Sequence, residues 1–239
     1  MNEQLYTIPV NDAFDKDCEC PICAMYEVLQ NNAIDFVMGT SYMEDDVRLE
    51  TDKIGFCSNH IRLMYKNQNR LGLALMLKTH MDKTINDLTP QMKGKQSQSG
   101  GLFKKKDSSS PIVDYITNLN HSCYVCRKIN SMFSLHISCV LYLYKREEEF
   151  RVKFRKSKGV CNKHYGLLYS QGQEYLSGDM KEQFLQDLNH IYLENMKRVR
   201  DDLSWFIDKF DYRYVNEPWK NSKDALPRSI IKTNSVEIE

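Results

Sequence analysis

No stretch of this 239-residue chain approaches about 18 consecutive apolar residues; every candidate run is interrupted by Lys, Arg, Asp or Glu. A membrane-crossing helix is therefore not expected. Met1-Asn2-Glu3-Gln4 is not a basic segment leading into an apolar run, so no secretory signal is expected and the chain reads as cytoplasmic. Catalytic signatures are also missing. There is no G-x-S-x-G, P-loop or H-E-x-x-H motif, which removes the corresponding hydrolase, nucleotide-binding and metalloprotease readings. The expectation is a protein that is not an enzyme. Net charge is nearly lacking too, at +1, but residues 1–90 carry −6, residues 91–170 carry +10 and residues 171–239 carry −3. Hydrophobic residues make up 41% of the chain, enough to build a core.

What the chain does have is a cysteine motif that occurs twice. Cys20-Pro21-Ile22-Cys23 is followed by Gly55-Phe56-Cys57-Ser58-Asn59-His60, and Cys123-Tyr124-Val125-Cys126 by Gly159-Val160-Cys161-Asn162-Lys163-His164. From Cys20 to Cys57 is 37 positions, and from Cys123 to Cys161 is 38. In a reducing compartment such spacings mark metal ligands rather than disulfides. Three thiolates and one imidazole close a four-coordinate shell, the structural form of a zinc site. Read in chain order, Cys20, Cys23, Cys57 and His60 hold one zinc ion, and Cys123, Cys126, Cys161 and His164 hold a second. An iron–sulfur cluster is disfavoured because it commonly takes four cysteines. A helix start beneath each C-x-x-H favours negative sulfur through its N–H groups and dipole. Cys18 and His121 each lie two residues before a C-x-x-C and are candidate spare ligands, although a closed site needs none.

Apolar spacing of three and four predicts helices from Cys23 to Val37 and from Ile61 to Leu88, with Gly72 a candidate break. Met43 to Lys53 reads as a second short helix. Leu5 to Phe14, with Pro9 inside, reads as an arm laid on the body. Ser110-Pro111 restarts a helix as N-cap and first residue. The pattern from Met180 to Phe210 predicts one long C-terminal helix of about thirty residues. A helix that long needs a partner, most simply the long helix of the first half. The fold class expected is all-α, with two related helical halves, each fastened by a Cys3His metal site. The expected organisation is residues 1–89, a flexible linker over 90–110, a second half over 111–212, and a non-helical tail over 213–239.

Arg151, Lys153, Arg155, Lys156 and Lys158 form a candidate anion-binding run beside a metal ligand, interleaved with Phe150 and Phe154. Nucleic-acid binding through residues 151–163 is disfavoured, since no signature of a common module surrounds the run and a solvated or acid-paired face is the simpler reading. Cys139 and His136 read as core residues, and Lys104 to Lys106 as solvated linker.

The paired C-P-x-C … G-[FL]-C-x-x-H pattern resembles an uncharacterised bacterial family of double-repeat, presumed zinc-binding proteins. Tyr6-Thr7-Ile8-Pro9-Val10-Asn11-Asp12-Ala13-Phe14 and Lys209-Phe210-Asp211-Tyr212-Arg213 with Pro218-Trp219 extend that likeness over nearly the whole chain. The second copy departs from it at Tyr124 and Val160. The resemblance implies a bacterial cytoplasmic protein and no particular activity. The function expected is a non-enzymatic adaptor or regulator acting on a protein partner, the alternative being a thiol-based redox or zinc sensor.

Overall fold

Every regular element is a helix among the residues described, 6–93 and 110–236 of a computed structural model. In chain order these are α1 (Thr7–Asp15), α2 (Pro21–Met38), α3 (Asp45–Ile54), α4 (Ser58–Lys66), α5 (Arg70–Lys93) and α6 (Pro111–Asn120). There follow α7 (Tyr124–Arg146), α8 (Glu148–Lys156), α9 (Asn162–Tyr175), α10 (Gly178–Asp208) and α11 (Ala225–Asn234). Single 3-10 turns occupy Thr40–Met43 and Tyr212–Tyr214. The all-α expectation holds.

The chain divides into two compact units, but not in sequence order. One contains residues 1–28 together with 132–239, and the other residues 29–131. This corrects the sequential division into 1–89 and 111–212. Most of the expected linker, residues 94–109, lies outside the described residues, and residues 90–93 complete α5. Helix lengths give the physical reason. The 18 residues of α2 carry the chain about 27 Å from the first C-x-x-C. The ten residues of α3 span only about 15 Å. Likewise α7 spans about 35 Å and α8 about 14 Å. In neither repeat does the chain come back to the turn it left.

In the larger unit, α1, α8, α9 and α11 pack around a core that includes Phe14, Tyr144, Phe150, Phe154, Phe184 and Leu188. Tyr144 and Phe184 meet edge-on at 4.9 Å, and Phe14 and Phe150 at 5.1 Å. Full burial of each such side chain contributes about 1.5–3 kcal/mol. The long helix is present as α10, whose 31 residues bury Phe184, Leu188, Ile191 and Val199. Its partners are α8, α9 and α11 of its own unit, which corrects the expected pairing with the first half's long helix.

Three local expectations are also corrected. The N-terminal arm is helical, because Pro9 is the third residue of α1, where the missing N–H had no intrahelical acceptor. The tail regains a helix in α11, where Pro227 sits in the first turn for the same reason. The break near Gly72 falls at residues 67–69, and Gly72 is buried in the first turn of α5. In the smaller unit, α3 packs on α5, and Val47, Thr51, Met64, Leu73 and Met76 are among its buried residues.

Candidate metal centres

Each half-motif begins a helix. Cys20, Cys57, Cys123 and Cys161 immediately precede α2, α4, α7 and α9, and the second ligand is the third helical residue. Two intervening residues therefore carry the chain from the capping position to the point where the next side chain faces the same spot. Gly55 and Gly159 precede α4 and α9 with φ of 59° and 73°, a left-handed conformation that a side chain disfavours. Space excludes one as well. A Cβ on Gly159 would lie 2.8 Å from the Ile191 carbonyl oxygen, and one on Gly55 2.6 Å from the His80 ring.

All eight candidate ligands converge into two groups of four, but the pairing crosses the repeats. Cys20 and Cys23 meet Cys161 and His164, whereas Cys57 and His60 meet Cys123 and Cys126. The assignment of one ion to each half in chain order is corrected accordingly. Each group lies wholly within one compact unit.

The S···S spacing fits a tetrahedral ion, and the S···N edges are a few tenths of an ångström shorter than one requires. Bonds of about 2.3 Å to sulfur and about 2.0–2.1 Å to nitrogen require S···S edges of about 3.8 Å and S···N edges of about 3.6 Å. The observed S···S edges are 3.7 Å for Cys23–Cys161 and 3.8 Å for Cys57–Cys126. His164 Nδ1 lies 3.4, 3.4 and 3.2 Å from the sulfurs of Cys20, Cys23 and Cys161. His60 Nδ1 lies 3.3, 3.4 and 3.2 Å from those of Cys57, Cys123 and Cys126. No disulfide joins any of the eight cysteines of the chain.

Without metal, one thiol in each group is made more acidic than an ordinary cysteine. In the larger unit it is Cys161, held far below the ordinary thiol range by hydrogen bonds from Cys20 and Cys23. Cys23 is driven up by its bond to Cys161, and burial pushes Cys20 up to about 12. In the smaller unit burial alone would raise Cys57. The backbone N–H of His60 and the thiols of Cys123 and Cys126 outweigh it, and the net shift is downward. Burial, the largest cause, pushes Cys126 up to about 12. In both groups the more acidic thiol occupies the N-cap position of a helix, where the dipole favours negative charge.

Several supporting residues carry no motif. Ser235 donates its hydroxyl to Cys161 Sγ at 2.9 Å. Lys232, 1% exposed, donates Nζ to the Glu19 carbonyl at 2.6 Å and to the Lys158 carbonyl. Its ammonium also pairs with the buried Glu19 carboxylate at 3.2 Å, which Arg198 holds at 2.6 Å. In the smaller unit, Ser122 Oγ donates to the Ile54 carbonyl at 2.7 Å and the Tyr124 N–H to the Gly55 carbonyl at 3.0 Å. His60 Nε2 faces Gln30 Oε1 at 3.3 Å, which turns Nδ1 toward the thiols. Glu19, Ser122 and Tyr124 lie in or beside a C-x-x-C, whereas Lys232 and Ser235 belong to a segment without periodic or spacing signals.

Neither spare donor joins a cluster. Cys18 is partly buried outside both groups, and His121 caps the C-terminus of α6 through its backbone N–H. The basic run is largely acid-paired. Arg151 and Arg155 meet Glu148 at 2.6 and 3.1 Å, Lys153 meets Asp15 at 2.7 Å, and Lys158 meets Asp17 at 2.5 Å. Cys139 is fully buried, and His136 donates from Nδ1 to the Met132 carbonyl at 2.7 Å.

The chain belongs to a family of unknown function, DUF6062, whose profile matches residues 1–239. No curated protein and no solved structure matches it. Among the described residues no helix is long and apolar enough to cross a membrane.

Proposed function

We propose that this protein holds two zinc ions and works without catalysis, as an adaptor or regulator that contacts another protein. The observation that carries the metal reading is the pair of Cys3His groups, whose S···S edges of 3.7 and 3.8 Å match a tetrahedral zinc shell. Four protein donors leave no position for water or substrate, which is what a catalytic zinc needs. That supports a non-enzymatic role. The contact role draws support from apolar side chains exposed around the end of α10, among them Ile207, Phe210, Tyr212 and Val215. Because most of the cations of residues 151–158 are committed to carboxylates, nucleic acid is the weaker candidate partner. Eight cysteines without a disulfide fit a reducing compartment, and we place the protein in the bacterial cytoplasm.

Elemental analysis of protein purified without added metal tests the proposal. The expected result is close to two zinc ions per chain. Iron, or less than one equivalent of any metal in intact protein, overturns it.

A further inference from the structure

The two centres share a donor set but differ in enclosure. In the Cys20/Cys23/Cys161/His164 centre no ligand is more than 9% exposed. α11 closes it: Ser235 binds the Cys161 sulfur, and Lys232 ties the carbonyl before the C-x-x-C to the carbonyl before Gly159. In the other centre the equivalent carbonyl, that of Ile54, is held by Ser122, and Cys57 and Cys126 are both partly exposed. Their sulfurs are 3.8 Å apart, so the two partly exposed ligands share one edge of the tetrahedron.

Resting on the two-zinc reading, we propose that the Cys57/His60/Cys123/Cys126 centre is an exchangeable metal site, which passes its ion to an external acceptor with thiolate or chelating nitrogen donors, while the other centre retains its ion. A donor from the acceptor adds to the ion at the exposed Cys57–Cys126 edge. One protein thiolate departs and takes up a proton from water, and the remaining ligands follow in turn. No electrons are transferred, and zinc stays divalent throughout. At the enclosed centre an incoming donor has no such edge. Lys232 and Ser235 are positioning residues there: they hold the departing thiolate and the two loops in place without touching the ion.

The test uses full-length, zinc-loaded protein mixed with excess chromophoric chelator at neutral pH. Release is timed optically, and samples are quenched with a cysteine-alkylating reagent for mass mapping. One equivalent should leave at least about tenfold faster than the other, a gap in the range that supporting residues produce. Cys57 and Cys126 should be alkylated in step with that first phase. Ser235→Ala and, separately, Lys232→Met should speed the second phase and leave the first unchanged. Release of both equivalents at one rate overturns the inference, as does alkylation of Cys20, Cys23 and Cys161 first. Both of these are read on the wild-type protein, so neither depends on a variant folding. Fewer than two equivalents before chelator is added overturns the zinc reading and this inference with it, and that failure is distinguished by its timing.

Discussion

Cys161 and Cys57 occupy equivalent places in the two repeats, each following a left-handed glycine and capping a helix, yet their surroundings differ. Cys161 is fully buried beneath α11, with a hydroxyl on its sulfur. Cys57 is partly exposed. The first repeat has Pro21 where the second has Tyr124, and proline has no N–H to give. Tyr124 uses its N–H to bind the Gly55 carbonyl. A buried lysine from α11 makes the tie between loops at the other centre instead. One donor set is thus fastened by local backbone in one case and by a distant helix in the other. Identical ligands therefore do not imply identical lability.

The largest expected effect breaks the pairing itself. Cys20→Ser combined with Cys161→Ser damages a single centre, so the double variant should keep about one zinc. Cys20→Ser combined with Cys57→Ser damages both and should keep none. Chain-order pairing requires the reverse on the first count, since Cys20 and Cys161 would then belong to different ions. Each structural zinc is worth roughly 10–16 kcal/mol of apparent binding free energy, so these losses should be plain in metal content and in thermal melts. Retention of one zinc by the Cys20/Cys57 pair would refute the crossed arrangement.

Why the crossing was not legible in the motifs follows from their symmetry. A repeat of two half-motifs is unchanged when the second halves are exchanged, so spacings of 37 and 38 are satisfied by either pairing. The eight ligands, the helix starts beneath them and the long α10 could be read because each depends on local spacing. What decides the pairing is helix length and charge. Asp15, Asp17 and Glu19 lead into the first C-x-x-C, and Lys153, Arg155 and Lys158 into the second C-x-x-H. The contacts Lys153–Asp15 and Lys158–Asp17 join those two segments. In the other centre Glu50, ahead of Cys57, meets Arg127, just after Cys126. The alternation of acidic and basic approaches was visible as a polarity, and it favours the crossed pairs. α11 was not legible, since it carries no motif and has prolines on both sides of its start.

An intermediate effect concerns pH. In the metal-free protein Cys20 and Cys126 are each pushed up to about 12, chiefly by burial, so both hold protons near neutrality. The ion must displace them. Protons therefore compete with metal, and affinity should fall as pH falls, by about tenfold per unit for each proton displaced. Competition titrations from roughly pH 6 to pH 8 measure the slope. A slope near zero at both centres would mean that the thiols are already ionised before metal arrives.

The smallest expected effect sharpens the comparison by removing a difference that does not matter. Only the first repeat has a cysteine two residues before its C-x-x-C, and Cys18 lies near the enclosed centre in sequence while remaining outside its four-donor group. Four donors already complete the tetrahedron, so a fifth has no vacant position to fill. Cys18→Ser should therefore leave zinc content at about two and change neither phase of release to a chelator. Under mild peroxide the exposed Cys57–Cys126 edge should react ahead of the enclosed thiols in wild type and variant alike, because oxidation follows thiolate character and access. Timed zinc release with mapping of oxidised cysteines decides the matter. If peroxide instead emptied the enclosed centre first, and Cys18→Ser abolished that loss, the spare thiol would be the reactive element and enclosure would not govern which ion leaves.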